Sequence, residues 1–198
     1  MASVRNALSH LHFSYDEIDS APSSCSDDAV ILLPGVGSFS RASSELYRRG
    51  FLKFICDHPR VIGICLGMQL LFSEGEEGGL ARGLGLLEGR VRSISGHQSY
   101  VKDQCIPHVG WQSLNWGKND NSRHLSDNLS EDMYFIHSYM AYPSSPSAVL
   151  ATVSYGDVVI PAVVAHRQVV GFQFHPEKSG PTGLRLLSRS IAWLQGNS

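Results

Sequence analysis

Charge is scarce in this chain. Only 17% of its 198 residues are Asp, Glu, Lys or Arg, and 16 basic residues against 18 acidic ones leave a net of −2. That balance gives no reason to expect a nucleic acid or an anionic membrane surface as partner. Long apolar runs are also missing, and none approaches the roughly 20 residues that span a bilayer. The opening "MASVRNALSHLHF" lacks the apolar core of a secretory signal, so a cytoplasmic protein is expected. Cysteine is sparse. Cys25, Cys56, Cys65 and Cys105 match no zinc spacing and are too few for a disulfide framework. No two histidines stand at i, i+4 or a comparable ligand spacing, so neither a metal nor another cofactor is expected.

Apolar residues, by contrast, make up 42% of the chain, enough to build one sizeable core. "SVRNALSHL" carries Val4, Ala7, Leu8 and Leu11 at helical spacing. "HFSYDEID" alternates weakly, as a short strand would. "AVILLPGVG" (29–37) reads as a buried strand entering a Pro/Gly loop, and Ser38 is placed to cap the one or two helices of the next stretch. "VIGI" is a second buried strand, and "LGMQLLFSEG" reads as a helix ending near Gly75. Continuous apolar strands alternating with helices indicate a parallel sheet covered on both faces.

The second half is richer in strands, including "GRVRSI", "MYFIHSYMAYP", "AVLATVSYG", "VIPAVVAH" and "VVGFQFHPE". The polar segment 115–131 reads as a surface loop. A last helix carries Leu184, Leu187 and Ile191 on one face. The expectation is an α/β domain over residues 1–198: a mostly parallel central sheet flanked by helices, with an added antiparallel strand region. The chain opens almost directly on a helix, although such a domain usually has a strand feeding its first helix.

One stretch stands out. Gly63-Ile64-Cys65-Leu66-Gly67 fits G-x-C-x-G, the thiol version of a nucleophile elbow at a sharp strand-to-helix turn. Glycines let the backbone turn and let neighbouring chain approach. A thiol at a helix N-terminus meets unpaired N–H groups and a dipole that favour the thiolate. The Leu66 N–H would face an oxyanion formed beside the sulfur. A small buried cysteine at a tight turn would show the same pattern, so a base and an orienting group must be sought.

His175-Pro176-Glu177 supplies them. In extended chain, residues two apart leave the same face, and Pro176 stiffens the pair. Glu177 could then hold the His175 imidazole toward a thiol, in the logic of nucleophile, base and orienter. His10, His12, His58, His97, His124 and His166 read as surface residues. His108 and His137 flank apolar strands and read as satisfied, partly buried histidines.

These residues, in this order, resemble the class I (triad) glutamine amidotransferases. The resemblance is carried by "PGVG" at 34–37, "GICLGMQLLF" at 63–72 and "HPE" at 175–177. Within that class, Met68, "IPHVGWQSL", "YFIHSY" and "HPEKSG" look like the glutaminase subunits of imidazole glycerol phosphate synthase. The resemblance implies that Cys65 attacks the amide of glutamine, His175 passes a proton to the leaving ammonia, and Glu177 steadies the ring. It places oxyanion donors at Leu66, Val36 and Gly37, and the glutamine pocket at Gln69, Ser138 and Tyr139. It puts Lys178 at the contact with the other half of a heterodimer. That partner is a (β/α)₈-barrel synthase (cyclase) subunit, which receives the ammonia and works in histidine biosynthesis.

The chain also departs from the pattern. Members of the class begin with a short apolar strand and a "D-Y-G-M-G-N-L" loop, which are missing ahead of "MASVRNAL". Either the recorded start lies too late, the favoured reading, or part of the fold is lost. Two alternatives therefore stay open. One is a paralogue that supplies ammonia for sugar amination in surface polysaccharide synthesis. The other is a truncated, non-catalytic binding subunit.

Overall fold

The computed structural model describes residues 2–58, 60–102, 104–118, 120–126 and 132–196. Helix α1 (Ala2–His10) opens the chain and buries Val4, Ala7 and Leu8. Strand β1 (Ile31–Gly35) leads through a loop to α2 (Phe39–Arg48) and α3 (Phe51–Asp57). Strand β2 (Val61–Cys65) runs straight into the short α4 (Leu66–Leu70). Then follow β3 (Phe72–Gly75), β4 (Ala81–Arg82), β5 (Leu87–Ser93), β6 (His108–Gln112) and β7 (Asn115–Trp116). Helix α5 (Asp120–Ser126), β8 (Met133–His137), β9 (Tyr139–Pro143), β10 (Val149–Tyr155), β11 (Val158–His166), β12 (Val169–Phe172) and α6 (Gly180–Leu194) complete the order.

The main sheet runs β1-β2-β12-β11-β10-β7. The β1–β2 and β2–β12 pairings are parallel, and the remaining three are antiparallel. Alternation along β2 and β12 separates two cores. Ile62, Ile64, Val170 and Phe172 meet α1 and α6 on one side. Val61 and Val169 meet α2, α3 and α4 on the other. A second sheet, β4-β3-β5-β9, and a two-stranded ribbon, β6-β8, stand beside the main one.

Four local expectations change. Strand β1 is half-buried, because it lies at the sheet edge with β2 as its strand neighbour. Residues 12–19 form no strand: no strand pairs with them, and Phe13 alone of their larger side chains packs on the core. The helix after Cys65 stops at Leu70. Phe72–Gly75 is a strand because β5 and β4 take up its backbone groups. The polar segment 115–131 carries β7 and α5. Ser122 and Leu125 are buried there, with the Ser122 hydroxyl donating to the Leu150 carbonyl at 3.0 Å. The part of that segment covering 127–131 lies outside the described residues, as does 119.

Ser38 does occupy the N-cap of α2 with extended backbone, but its hydroxyl makes no capping bond. Glu77 caps the helix from another element, its carboxylate accepting the Phe39 N–H at 3.0 Å. No described helix is long and apolar enough to cross a membrane.

Candidate active site

Cys65 is the last residue of β2 and the N-cap of α4, with φ 53° and ψ −110°. A left-handed φ on a non-glycine residue is strained. The turn is forced by packing around it. A methyl group at Gly67 would lie 1.7 Å from the Leu33 carbonyl oxygen, and one at Gly63 would lie 2.6 Å from the Gly67 carbonyl. Only bare backbone lets β2, α4 and β1 approach this closely. The two glycines around the cysteine are therefore requirements of the elbow, which leaves Cys65 partly exposed at the sheet end.

Register brings the 34–37 loop to the same place. Gly35 pairs with Cys65 across the parallel β1–β2 ladder, so Val36 and Gly37 follow immediately beside the elbow. Val36 is 81% exposed and Gly37 takes φ 107°. On the other flank the Ile136 carbonyl lies 3.8 Å from Cys65 Sγ.

His175 arrives from the end of β12. Its backbone N–H donates to the Tyr134 carbonyl, and the Ser179 hydroxyl donates to its carbonyl at 2.6 Å. The chain turns here as a 3₁₀ helix over Pro176–Lys178 rather than continuing extended, because proline at the first helical position starts that turn readily. The expected pairing survives the change. His175 Nδ1 lies 2.8 Å from Glu177 Oε1, with both side chains almost wholly buried. Ser3 at the start of α1 adds a weaker hydroxyl contact to the same oxygen at 3.5 Å.

Burial works against charge on His175. Its hydrogen bonds with Cys65 and then with Glu177 outweigh that cost and raise its pKa to about 9. The ring therefore stays protonated at neutral pH, beside the sulfur. A thiol and imidazole so joined, with a carboxylate behind the ring, supply a nucleophile, a proton carrier and an orienting group.

The remaining predicted residues divide. Gln69 is buried beneath the elbow, and its Nε2 donates to the Tyr139 carbonyl at 3.0 Å and to Gln173 Oε1 at 3.1 Å. Ser138 and Tyr139 form the corner between β8 and β9. The Ser138 carbonyl accepts the Ile94 N–H there, and the Tyr139 carbonyl also accepts from His137 Nδ1. Lys178 is exposed, its ammonium 5.9 Å above the Tyr134 ring. Behind the site His108 Nδ1 and His137 Nε2 lie 3.0 Å apart, both rings buried as expected. Burial pulls His137 down to about 3 against the opposing bond to Tyr139, so this ring is neutral.

Gln173 is the residue that pattern reading missed. It is fully buried, and its Nε2 lies 3.9 Å from Cys65 Sγ. The signal was in "FQFH": Gln173 and His175 alternate with Phe172 and Phe174, which both join the core.

Residues 3–192 match the family model for glutamine amidotransferase class I. The chain belongs to that family. It is 41% identical to the imidazole glycerol phosphate synthase subunit HisH of Geobacillus sp. (strain WCH70), over 98% of this chain and 92% of the relative. The HisH subunit of Sulfolobus acidocaldarius is 44% identical over 90% of this chain and 86% of its own length. Among solved structures, a putative GMP synthase protein from Thermoplasma acidophilum superposes with TM-score 0.67 at 18% identity, covering 98% of this chain and 87% of that one. The CTPS glutaminase domain of Trypanosoma brucei gives 0.61 at 16%, covering 96% and 87%. These two likenesses establish the fold, and the HisH relatives make this amidotransferase a glutaminase of the HisH type.

Proposed function

We propose that the residues around Cys65 hydrolyse glutamine to glutamate and ammonia within this one domain. The observation that carries this reading is the joined set of Cys65, His175 and Glu177, with the imidazole held protonated next to the sulfur. The Cys65 thiolate attacks the side-chain amide carbon and makes a C–S bond. The amide oxygen becomes an oxyanion, which the Leu66 N–H at the start of α4 and the Val36–Gly37 loop are placed to receive. As the intermediate collapses, the C–N bond breaks and His175 gives its proton to the departing nitrogen. Ammonia and a glutamyl thioester result. The now neutral imidazole takes a proton from water, the hydroxide equivalent attacks the thioester, and glutamate leaves with the thiolate restored. Glu177 keeps the imidazole in one orientation throughout. Ser138 and Tyr139 shape the pocket wall for glutamine, and Gln69 supports it from beneath the elbow.

The chain supplies ammonia in histidine biosynthesis, and its HisH relatives favour that role over sugar amination. Its partner is a (β/α)₈-barrel synthase subunit, paired with it as a heterodimer in the cytoplasm. Ammonia is mostly protonated in neutral water and then cannot act as a nucleophile, so a docked acceptor is chemically needed. The ribbon β6–β8 offers the surface. Val109 pairs with Ile136 and Trp111 with Tyr134 across it. Val109, Trp111 and Ile136 are 52%, 54% and 40% exposed, beside Lys178 and within reach of the Cys65 elbow. An exposed apolar patch rimmed by a charge is the signature of an interaction face.

The deciding experiment treats the chain and its barrel partner with a glutamine-derived alkylating analogue and reads the mass of the Cys65 peptide. Modification at Cys65 is expected, together with loss of glutamine-dependent synthesis in Cys65→Ala and retention of ammonia-dependent synthesis. An unmodified Cys65, or equal loss of both activities, would overturn the assignment.

A further inference from the structure

Gln173 has a task that the triad does not cover. Its backbone N–H donates to the Ala162 carbonyl at 2.9 Å, extending the β11–β12 ladder and fixing the residue beside the elbow. Its side chain is fully buried. Donor and acceptor chemistry sets the direction of both glutamine amides here. The Tyr139 carbonyl can only accept, so the Gln69 atom 3.0 Å from it is the nitrogen. That nitrogen has a second N–H, which meets Gln173 at 3.1 Å and needs an oxygen there. The other end of the Gln173 amide, facing Cys65 Sγ at 3.9 Å, is therefore the N–H donor.

We propose that Gln173 donates an amide hydrogen bond to the Cys65 thiolate and stabilises its charge before glutamine arrives, with Gln69 locking the amide in that direction. The inference rests on Cys65 being the nucleophile. A donor to sulfur favours the charged form, and sulfur accepts at longer range than oxygen does. The orientation is enforced, because turning over either amide would set N–H against N–H or oxygen against the Tyr139 carbonyl. On this reading Gln69 acts from beneath the elbow as a positioning residue, through Gln173 and the Tyr139 carbonyl.

Other titratable groups surround the sulfur. His175 follows β12, with Glu177 behind it, and His137 of β8 lies nearby, with His108 of β6 behind that. All four stay in place in the test, so a difference between variants reports the amide. The measurement is the rate of iodoacetamide alkylation of the full chain against pH, read by peptide mass at Cys65, with exposed Cys105 as the internal reference. Gln173→Leu and Gln69→Leu should each shift the Cys65 profile upward by about one pH unit, an approximately tenfold loss of rate on its acidic limb, and leave Cys105 unmoved. Gln173→Glu, nearly identical in size, should shift it further, because an anion replaces a donor. Thermal unfolding checks that each variant is folded. Should the leucine variants fail that check, the glutamate variant decides. Cys65 profiles that coincide with wild type in a folded variant overturn the proposal. If wild-type Cys65 reacts no faster than Cys105, it is the nucleophile assignment that fails instead.

Discussion

At the scale of single residues, the site works by opposing burial with hydrogen bonds. His175 is buried, which should neutralise it, yet its contacts with Cys65 and Glu177 keep it charged. His137 is buried, bonded to the Tyr139 carbonyl and beside His108, and is neutral. Two histidines in one neighbourhood thus hold opposite protonation states, and in the mechanism proposed above the one beside the sulfur delivers the proton to the leaving nitrogen. Glu177→Gln should leave the backbone intact and lose the anion behind the imidazolium. The expected outcome, in steady-state kinetics with the partner present, is a drop in kcat of about two to four orders of magnitude with little change in KM for glutamine. Among the described residues Glu177 Oε2 is buried without a hydrogen-bond partner, while Oε1 meets the ring and, more weakly, the Ser3 hydroxyl.

At the scale of elements, the elbow depends on close approach. Gly67→Ala places a methyl against the Leu33 carbonyl, and backbone there cannot move aside without opening the β1–β2 pairing. Overpacking of this kind costs about 1–3 kcal/mol or more, to be read as a lower urea midpoint, with loss of selective alkylation at Cys65. Helix α2 presents the opposite case, a cap supplied from a distance. Glu77→Ala removes the acceptor for the Phe39 N–H and should destabilise by about 0.5–2 kcal/mol. Ser38→Ala should cost less, since the Ser38 hydroxyl makes no capping bond. Position in the chain points to Ser38. It gives no sign of Glu77, which lies 39 residues further on and reaches the helix from the turn between β3 and β4.

At the scale of the whole molecule, the two histidines shape stability against pH in opposite directions. The folded pKa of His175 is about 9 against an ordinary 6.5, so the native state holds a proton there that the unfolded chain releases. That contribution is complete below about 6.5 and is lost as pH rises through about 9. His137 has its pKa lowered to about 3, so between about 3 and 6.5 the unfolded chain binds a proton that the native state excludes. Stability is therefore lost as pH falls through that window, and His108, lowered chiefly by its burial, acts in the same direction. Urea midpoints measured across pH should form a dome with its top near pH 6.5. His137→Asn should flatten the acidic limb, and Cys65→Ala the alkaline one. Association is also a property of the whole surface. On the docking face proposed for β6–β8, Trp111→Ala should weaken binding of a barrel partner by about 30-fold or more in a titration, as expected for an exposed aromatic that becomes buried there.

The local chemistry was legible in the one-dimensional string. G-x-C-x-G, H-P-E and the alternation in "VVGFQFHPE" depend on near neighbours: the glycines that let a turn form, the proline that starts one, and the period of two that separates Gln173 and His175 from the phenylalanines. What only the tertiary structure decided involves residues far apart in the chain. Pairing partners made Phe72–Gly75 a strand and left 12–19 without one. The meeting of Gln69, Tyr139 and Gln173, each with complementary donors and acceptors, set the direction of an amide toward the sulfur. Periodicity carries the face on which a side chain lies, but hydrogen bonds and close contacts between distant segments exist only once the sheets have assembled, and those contacts give Cys65 its surroundings.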